Sequence, residues 1–239
     1  MTISCGRKTT SFFRSEIADW HPGEILFGIM ILFSVCLPAV MAKSFLTISF
    51  VSMLTGVLYT LLAGKGKVSC YFFGIINSVL YGYLSYRSNL YGDMFLNWLW
   101  YLPMQFFGIA CWLGKRNPAT GNIRKRKLTP FFRLLLTAGA IVVCGVLAVV
   151  LKISGDHHPY LDSATNVLST IAMLLGVFRC FEQWICWFLV NLISVCIWFS
   201  LWKNGNGDAE TLLMWCAFLI CGIVFAVDWY RASSTEEQE

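Results

Sequence analysis

Apolar runs of roughly 20 residues recur along the chain, separated by short segments that hold nearly all of its charge. A helix rising about 1.5 Å per residue crosses a hydrocarbon core of about 30 Å in such a run, so each predicts one transmembrane helix. The pattern places eight, at about 24–42, 45–63, 68–86, 92–113, 130–151, 162–178, 183–202 and 210–229. Val68–Tyr86 is the least apolar of them. The expected fold is an all-α polytopic membrane bundle, compact rather than divided into several domains.

Composition agrees with this pattern. Hydrophobic residues make up 57% and charged residues 13% of the 239 positions. A soluble domain carries about 25% charged residues. Charge then orients the spans. With an inner N-terminus, thirteen of the 18 Lys and Arg fall on the cytoplasmic side. Only Lys43, Arg87, Lys152 and Lys203 fall opposite, and Arg133 sits just inside the fifth span. That asymmetry puts both termini in the cytoplasm. The net charge of +5 is therefore a topology signal and not a nucleic-acid footprint. The run Asn122–Leu128 (NIRKRKL) reads most simply as a stop-transfer anchor, although it could bind anionic lipid or RNA. The stretch PAVMAKS, from Pro38, has a cleavage-like small-residue pattern, but the long polar lead favours a kinked span. Most of the ten cysteines lie in or beside apolar runs without a CxxC, which predicts small buried hydrophobes rather than a disulfide framework.

Polar residues inside the spans fall on stripes. In FEQWICWFLVN, residues 181–191, Trp184, Trp187 and Asn191 lie at i, i+3 and i+7, within about 60° on a helix. Ser194 and Trp198 extend the same stripe. Asn97, Tyr101, Gln105, Gly108 and Trp112 align on span four, Asp162, Asn166, Ser169, Thr170 and Met173 on span six, and Asn77, Tyr81 and Ser85 on span three. One such stripe is ordinarily core packing or helix–helix glue. Four together favour a polar, aromatic-lined cavity. Indole faces suit a flat or cationic ring, and Asn and Gln carboxamides match amides and ribose hydroxyls. No Lys or Arg lies mid-span to compensate a phosphate.

Aligning Asn77 with Asn191 exposes an internal repeat. FFGIINSVLYGYLSYRSNLYGD and WFLVNLISVCIWFSLWKNGNGD share an aromatic four residues before the Asn and a closing Gly-Asp turn, Gly92-Asp93 and Gly207-Asp208. Spans two to four and six to eight then form two parallel three-helix repeats, joined by span five and preceded by one extra helix. The corresponding segments are 1–44, 45–113, 114–161, 162–230 and 231–239.

Trp184-x-x-Trp187-x-x-x-Asn191 and LYGDMFLNWLWYLPMQFFGIACW, over roughly residues 45–230, resemble the PnuC family of bacterial vitamin transporters. The resemblance implies a 3+1+3 bundle similar to sugar-transporting SWEET proteins, in the inner membrane. It implies facilitated diffusion of nicotinamide riboside, trapped by a cytoplasmic kinase. Wider relatives carry thiamine or other B vitamins, and a homo-oligomer such as a trimer fits the family. The binding set expected from residues and resemblance together is Trp184, Trp187, Asn191, Gln105, Asn77, Tyr81, Asn97, Tyr101, Asn166, Thr170, Trp112 and Trp198. Neither cofactor nor metal is expected. Gly205-Asn206-Gly207-Asp208 matches the GxGD of intramembrane aspartyl proteases, but that chemistry needs a second aspartate sharing a proton. Asp93 follows Gly92 rather than Tyr. The adjacent His157 and His158 do not make a metal site on a loop, and GKGK at 64–67 lacks the spacing of a phosphate loop.

Overall fold

The computed structural model describes residues 12, 14–41, 43, 47–87, 91–117, 120–153, 159–205 and 209–236. Each predicted span is helical. The elements are α1 (Pro22–Met41), α2 (Ile48–Lys65), α3 (Cys70–Arg87), α4 (Tyr91–Phe95), a π-helical turn (Leu96–Tyr101), α5 (Leu102–Leu113), α6 (Pro130–Ile153), α7 (Pro159–Val177), α8 (Gln183–Lys203) and α9 (Ala209–Glu236). Among the described residues, six helices are long and apolar enough to cross a membrane: α1, α2, α6, α7, α8 and α9. The third span falls short because Gly74, Asn77, Ser78, Gly82 and Ser85 dilute its apolar residues. The fourth is interrupted by the π turn. His157, His158 and Asn206–Asp208 lie outside the described residues.

The chain divides into two compact units, Met1–Arg124 and Lys125–Glu239. In the first, α2 ends on Gly66 at φ 85°, a left-handed position that glycine adopts without steric cost. The chain reverses there, and α3 packs along α2. The extra helix α1 lies against α2 through a narrow stripe, Ile31, Val35 and Ala39, at i, i+4 and i+8. Glu24 at its start pairs with Lys65 at the end of α2 (2.7 Å), so the two run antiparallel.

The π turn has a local cause. Pro103 lacks an N–H, so the regular ladder loses a donor there, and Leu102 N–H reaches back five residues to Asn97 O. The helical stripe expected for Asn97, Tyr101 and Gln105 therefore changes phase. Asn97, Gln105, Gly108 and Trp112 are buried, while Tyr101 is half-buried.

In the second unit the chain turns after α7 at Arg179, also left-handed at φ 64°, and α8 begins four residues later at Gln183. The matching landmarks in the first unit are Gly66 and Cys70. Asn77 and Asn191 do not share this spacing: counted from the turns, Asn191 corresponds to Ser78. The aromatic contacts follow the turns. Tyr71 meets Trp112 edge-on at 4.9 Å, and Trp184 meets Trp229 edge-on at 5.8 Å. The linker helix α6 packs on α7 and buries only Ala148, leaving its apolar side chains outward.

Candidate functional site

Gln105 projects from α5 onto α3, where Gly74 leaves the room its carboxamide occupies. The side chain is 4% exposed, and Gln105 Oε1 is buried without a hydrogen-bond partner in the chain. An unpaired buried amide oxygen costs about 1–3 kcal/mol. A ligand N–H would recover that cost. About two turns along α3, Gly82 makes a similar berth for Trp98, whose Nε1 donates to Val79 O at 3.2 Å.

The other carboxamides of the first unit are engaged. Asn77 Nδ2 donates to Ser52 O on α2 at 2.7 Å, joining two helices. Asn97 Nδ2 donates to Asp93 O, one turn back on its own rod, at 2.9 Å. Tyr81 and Tyr101 are half-buried on α3 and the π turn. Trp112 is almost fully buried against Tyr71 and belongs to the packed core.

In the second unit the Trp/Asn stripe separates into two environments. Trp184 is 4% exposed and lies between Phe225 (5.4 Å) and Trp229 (5.8 Å) of α9. Its Nε1 is buried with no hydrogen-bond partner, an unused donor. Trp187, one turn further, is half-buried, and so is Trp198 near the far end of α8. Asn191 is 5% exposed, and a Cβ on Gly222 would lie 3.6 Å from its Nδ2. Asn166 Nδ2 donates to Asp162 O of its own helix at 2.7 Å, and Thr170 is half-buried.

Thus α3 and α5 bring Gln105 together with Gly74, and α8 and α9 bring Trp184 and Asn191 onto one packed face. Asn97 and Asn166 spend their donors on their own helices. Reading the sequence missed two further indoles with buried, unpartnered Nε1 atoms, Trp100 on the π turn and Trp215 on α9. Their only signal was tryptophan on a polar rod, which does not tell a donor from a filler.

A family model described as nicotinamide mononucleotide transporter matches residues 46–231. The chain is similar to the nicotinamide riboside transporter PnuC of Neisseria mucosa, 37% identical over 187 residues, with 76% of this chain and 71% of that one covered. It is 28% identical over 223 residues to the protein of that name from Haemophilus influenzae, covering 90% and 92%. A solved structure, the crystal structure of the vitamin B3 transporter PnuC, superposes with a TM-score of 0.83 at 31% identity, covering 94% of this chain and 98% of that one.

Proposed function

The chain belongs to the PnuC family of membrane transporters, and on that premise we propose that it carries nicotinamide riboside across the bacterial inner membrane. The observation that carries the substrate reading is the buried, unpartnered Gln105 Oε1. A carboxamide acceptor of that kind fits an amide N–H or a ribose hydroxyl, and leaves an apolar ligand with nothing to offer. Within the second unit, Trp187 offers a ring face of the kind that suits a pyridinium, and Asn191 a carboxamide.

The matching family model is described for the mononucleotide and the relatives are named for the riboside, so one phosphate separates the two readings. Charge favours the riboside. Of the cations within the described helices, Lys65, Arg87, Arg133, Lys152 and Lys203 stand in a first or last turn and Arg231 in the C-terminal part of α9, so none lies at mid-helix. A phosphate there would meet no compensating cation.

The spans number eight in this reading: the six long apolar helices, α3, and the α4–π–α5 rod. The shared turn geometry and the paired aromatics of the two units support a 3+1+3 parallel repeat preceded by α1. The excess of Lys and Arg on one side supports an orientation with both termini in the cytoplasm. Transport is downhill, with accumulation dependent on phosphorylation by a separate enzyme. The outward apolar face of α6 suits lipid or neighbouring copies in an oligomer such as a trimer.

Thermal stabilisation of the purified protein tests the substrate. A ligand that binds only the folded state raises the melting temperature with its concentration. Nicotinamide riboside is expected to do so, and nicotinamide mononucleotide and thiamine to do so weakly or not at all. Stabilisation by thiamine alone would move the chain to another B vitamin. Preferential stabilisation by the mononucleotide would refute the charge argument.

A further inference from the structure

We infer that Glu16, in the segment preceding α1, is a positioning residue that completes the first three-helix repeat by supplying a carboxylate its own sequence lacks. The second repeat shows what is missing. Three residues after the left-handed Arg179, Glu182 stands immediately before α8 and is buried. Its Oε1 accepts from Arg133 Nε at 2.7 Å and from Leu128 N–H at 3.1 Å. A carboxylate at a helix N-terminus is favoured by the helix dipole, and the guanidinium balances its charge. In the first repeat, three residues after the left-handed Gly66 and immediately before α3, the residue is Ser69.

Glu16 fills that place from outside the repeat. It is 8% exposed, and its Oε2 accepts from Ser69 N–H at 3.1 Å and from Ser69 Oγ at 2.6 Å. Its Oε1 lies 3.6 Å from Arg116 Nη1, which reproduces the carboxylate–guanidinium pair. The segment is held there by more than Glu16. Lys67 is fully buried, and its Nζ donates to Ser15 O (3.0 Å), Ala18 O (2.8 Å) and Thr120 O (2.5 Å). Asn122 Nδ2 donates to Asp19 Oδ2 at 2.5 Å. A segment before the region matched by the family model thus ties the end of α2, the start of α3 and the loop after α5 into one body.

The consequence for transport rests on the proposed function. Helix α3 carries Gly74, the berth of Gln105, barely one turn from its capped end. A start that frays lets that berth move. Glu16 acts through α3 and does not touch substrate.

The test exploits the correspondence of Ser69 with Glu182. In Glu16→Ala, the space beside Ser69 Oγ is open, and adding Ser69→Glu places the carboxylate in the chain position it has in the second repeat. Two quantities are read. One is labelling of Cys70, fully buried beside Ser69, by a maleimide, followed by mass spectrometry of its peptide. The other is the initial rate of nicotinamide riboside uptake into proteoliposomes. Glu16→Ala is expected to speed Cys70 labelling roughly fivefold, the factor a lost helix cap is worth. It should also lower the uptake rate, and Glu16→Ala/Ser69→Glu should restore both. Unchanged labelling in Glu16→Ala, or no rescue by Ser69→Glu, overturns the inference. Rescued labelling with uptake unaffected throughout also overturns it, since the contact would then be a local cap only. A wild-type protein that takes up no riboside counts against the proposed function instead, and the labelling arm still decides whether Glu16 holds α3.

Discussion

Gly74 and Gln105 fit together across α3 and α5 because one lacks a side chain: a Cβ built on Gly74 would lie 2.6 Å from Gln105 Cδ. The residue that would give way is the end of a flexible side chain, so Gly74→Ala shifts the carboxamide and leaves the helices packed. Gly74→Ala is therefore expected to weaken riboside binding about tenfold, with the melting temperature of the unliganded protein nearly unchanged. Gln105→Leu should do the same, at about 1–3 kcal/mol. Gly108→Ala is the contrasting case. Its Cβ would lie 2.6 Å from Tyr71 Oη, on a ring locked between Trp112 and Tyr59, and should cost about 1–3 kcal/mol of stability by overpacking. Calorimetric binding beside thermal unfolding separates the two. Loss of folding in Gly74→Ala, or unaltered binding, would reject the role given to Gln105.

Trp184 and Trp187 should respond differently to truncation. Trp184 fills the space between Phe225 and Trp229, so Trp184→Ala leaves a cavity and is expected to cost about 3 kcal/mol or more of stability. Trp187 is half-buried, and Trp187→Ala should leave folding intact while costing about 1–3 kcal/mol of ligand affinity. If the affinity loss belongs to Trp184 in a fully folded protein, the two assignments must be exchanged.

Much of this was legible in the sequence, and the remainder has physical reasons for being hidden. Apolar runs report helices directly, because a spanning backbone must satisfy its hydrogen bonds internally. Each expected span is helical, with ends shifted by at most three residues except the last, which runs on to Glu236. The π turn was not legible, since Pro103 marks a lost donor but not how the backbone recovers it. Periodicity placed Asn97 and Gln105 on one stripe but could not show that Asn97 spends its amide on Asp93 O. The proposed repeat rests in the sequence on aligning Asn77 with Asn191, whereas the left-handed turns at Gly66 and Arg179 lie one residue out of that register. The contacts of Glu16 and Lys67 join residues about 50 positions apart, a separation that no local pattern encodes.

Lys67 provides a stability prediction. Its ammonium is fully buried, and burial pulls its pKa below the ordinary lysine value while three carbonyls satisfy its protons. Lys67→Met keeps the length and removes the donors, stranding carbonyls of Ser15, Ala18 and Thr120. The expected cost is about 1–3 kcal/mol, read as a lower melting temperature, with faster proteolysis before α1. An unchanged melting temperature and cleavage rate would show that the preceding segment is not anchored through Lys67.

The energy source can be argued from where the carboxylates stand. A proton-coupled carrier needs an ionisable group along the path, because something there must bind and release the proton. Asp93 and Asp162 occupy the first turns of α4 and α7, and Glu182 precedes α8. Asp228 adjoins Trp229, at the level where Lys125 Nζ stands 5.1 Å over the indole, close to the basic loop. Among the described residues, then, these carboxylates stand in the first turn of a helix, just before one, or in the C-terminal part of α9, and none lies at the middle of its helix. Sodium could still be held by backbone carbonyls, so the ion gradients must be tested separately. Proteoliposomes with equal riboside on both sides are expected to show no net movement when a proton or a sodium gradient is imposed. Counterflow of labelled riboside against unlabelled should be brisk in the same vesicles. Uphill accumulation driven by either ion would refute facilitated diffusion, and would leave the assignments of Gln105 and Trp187 standing.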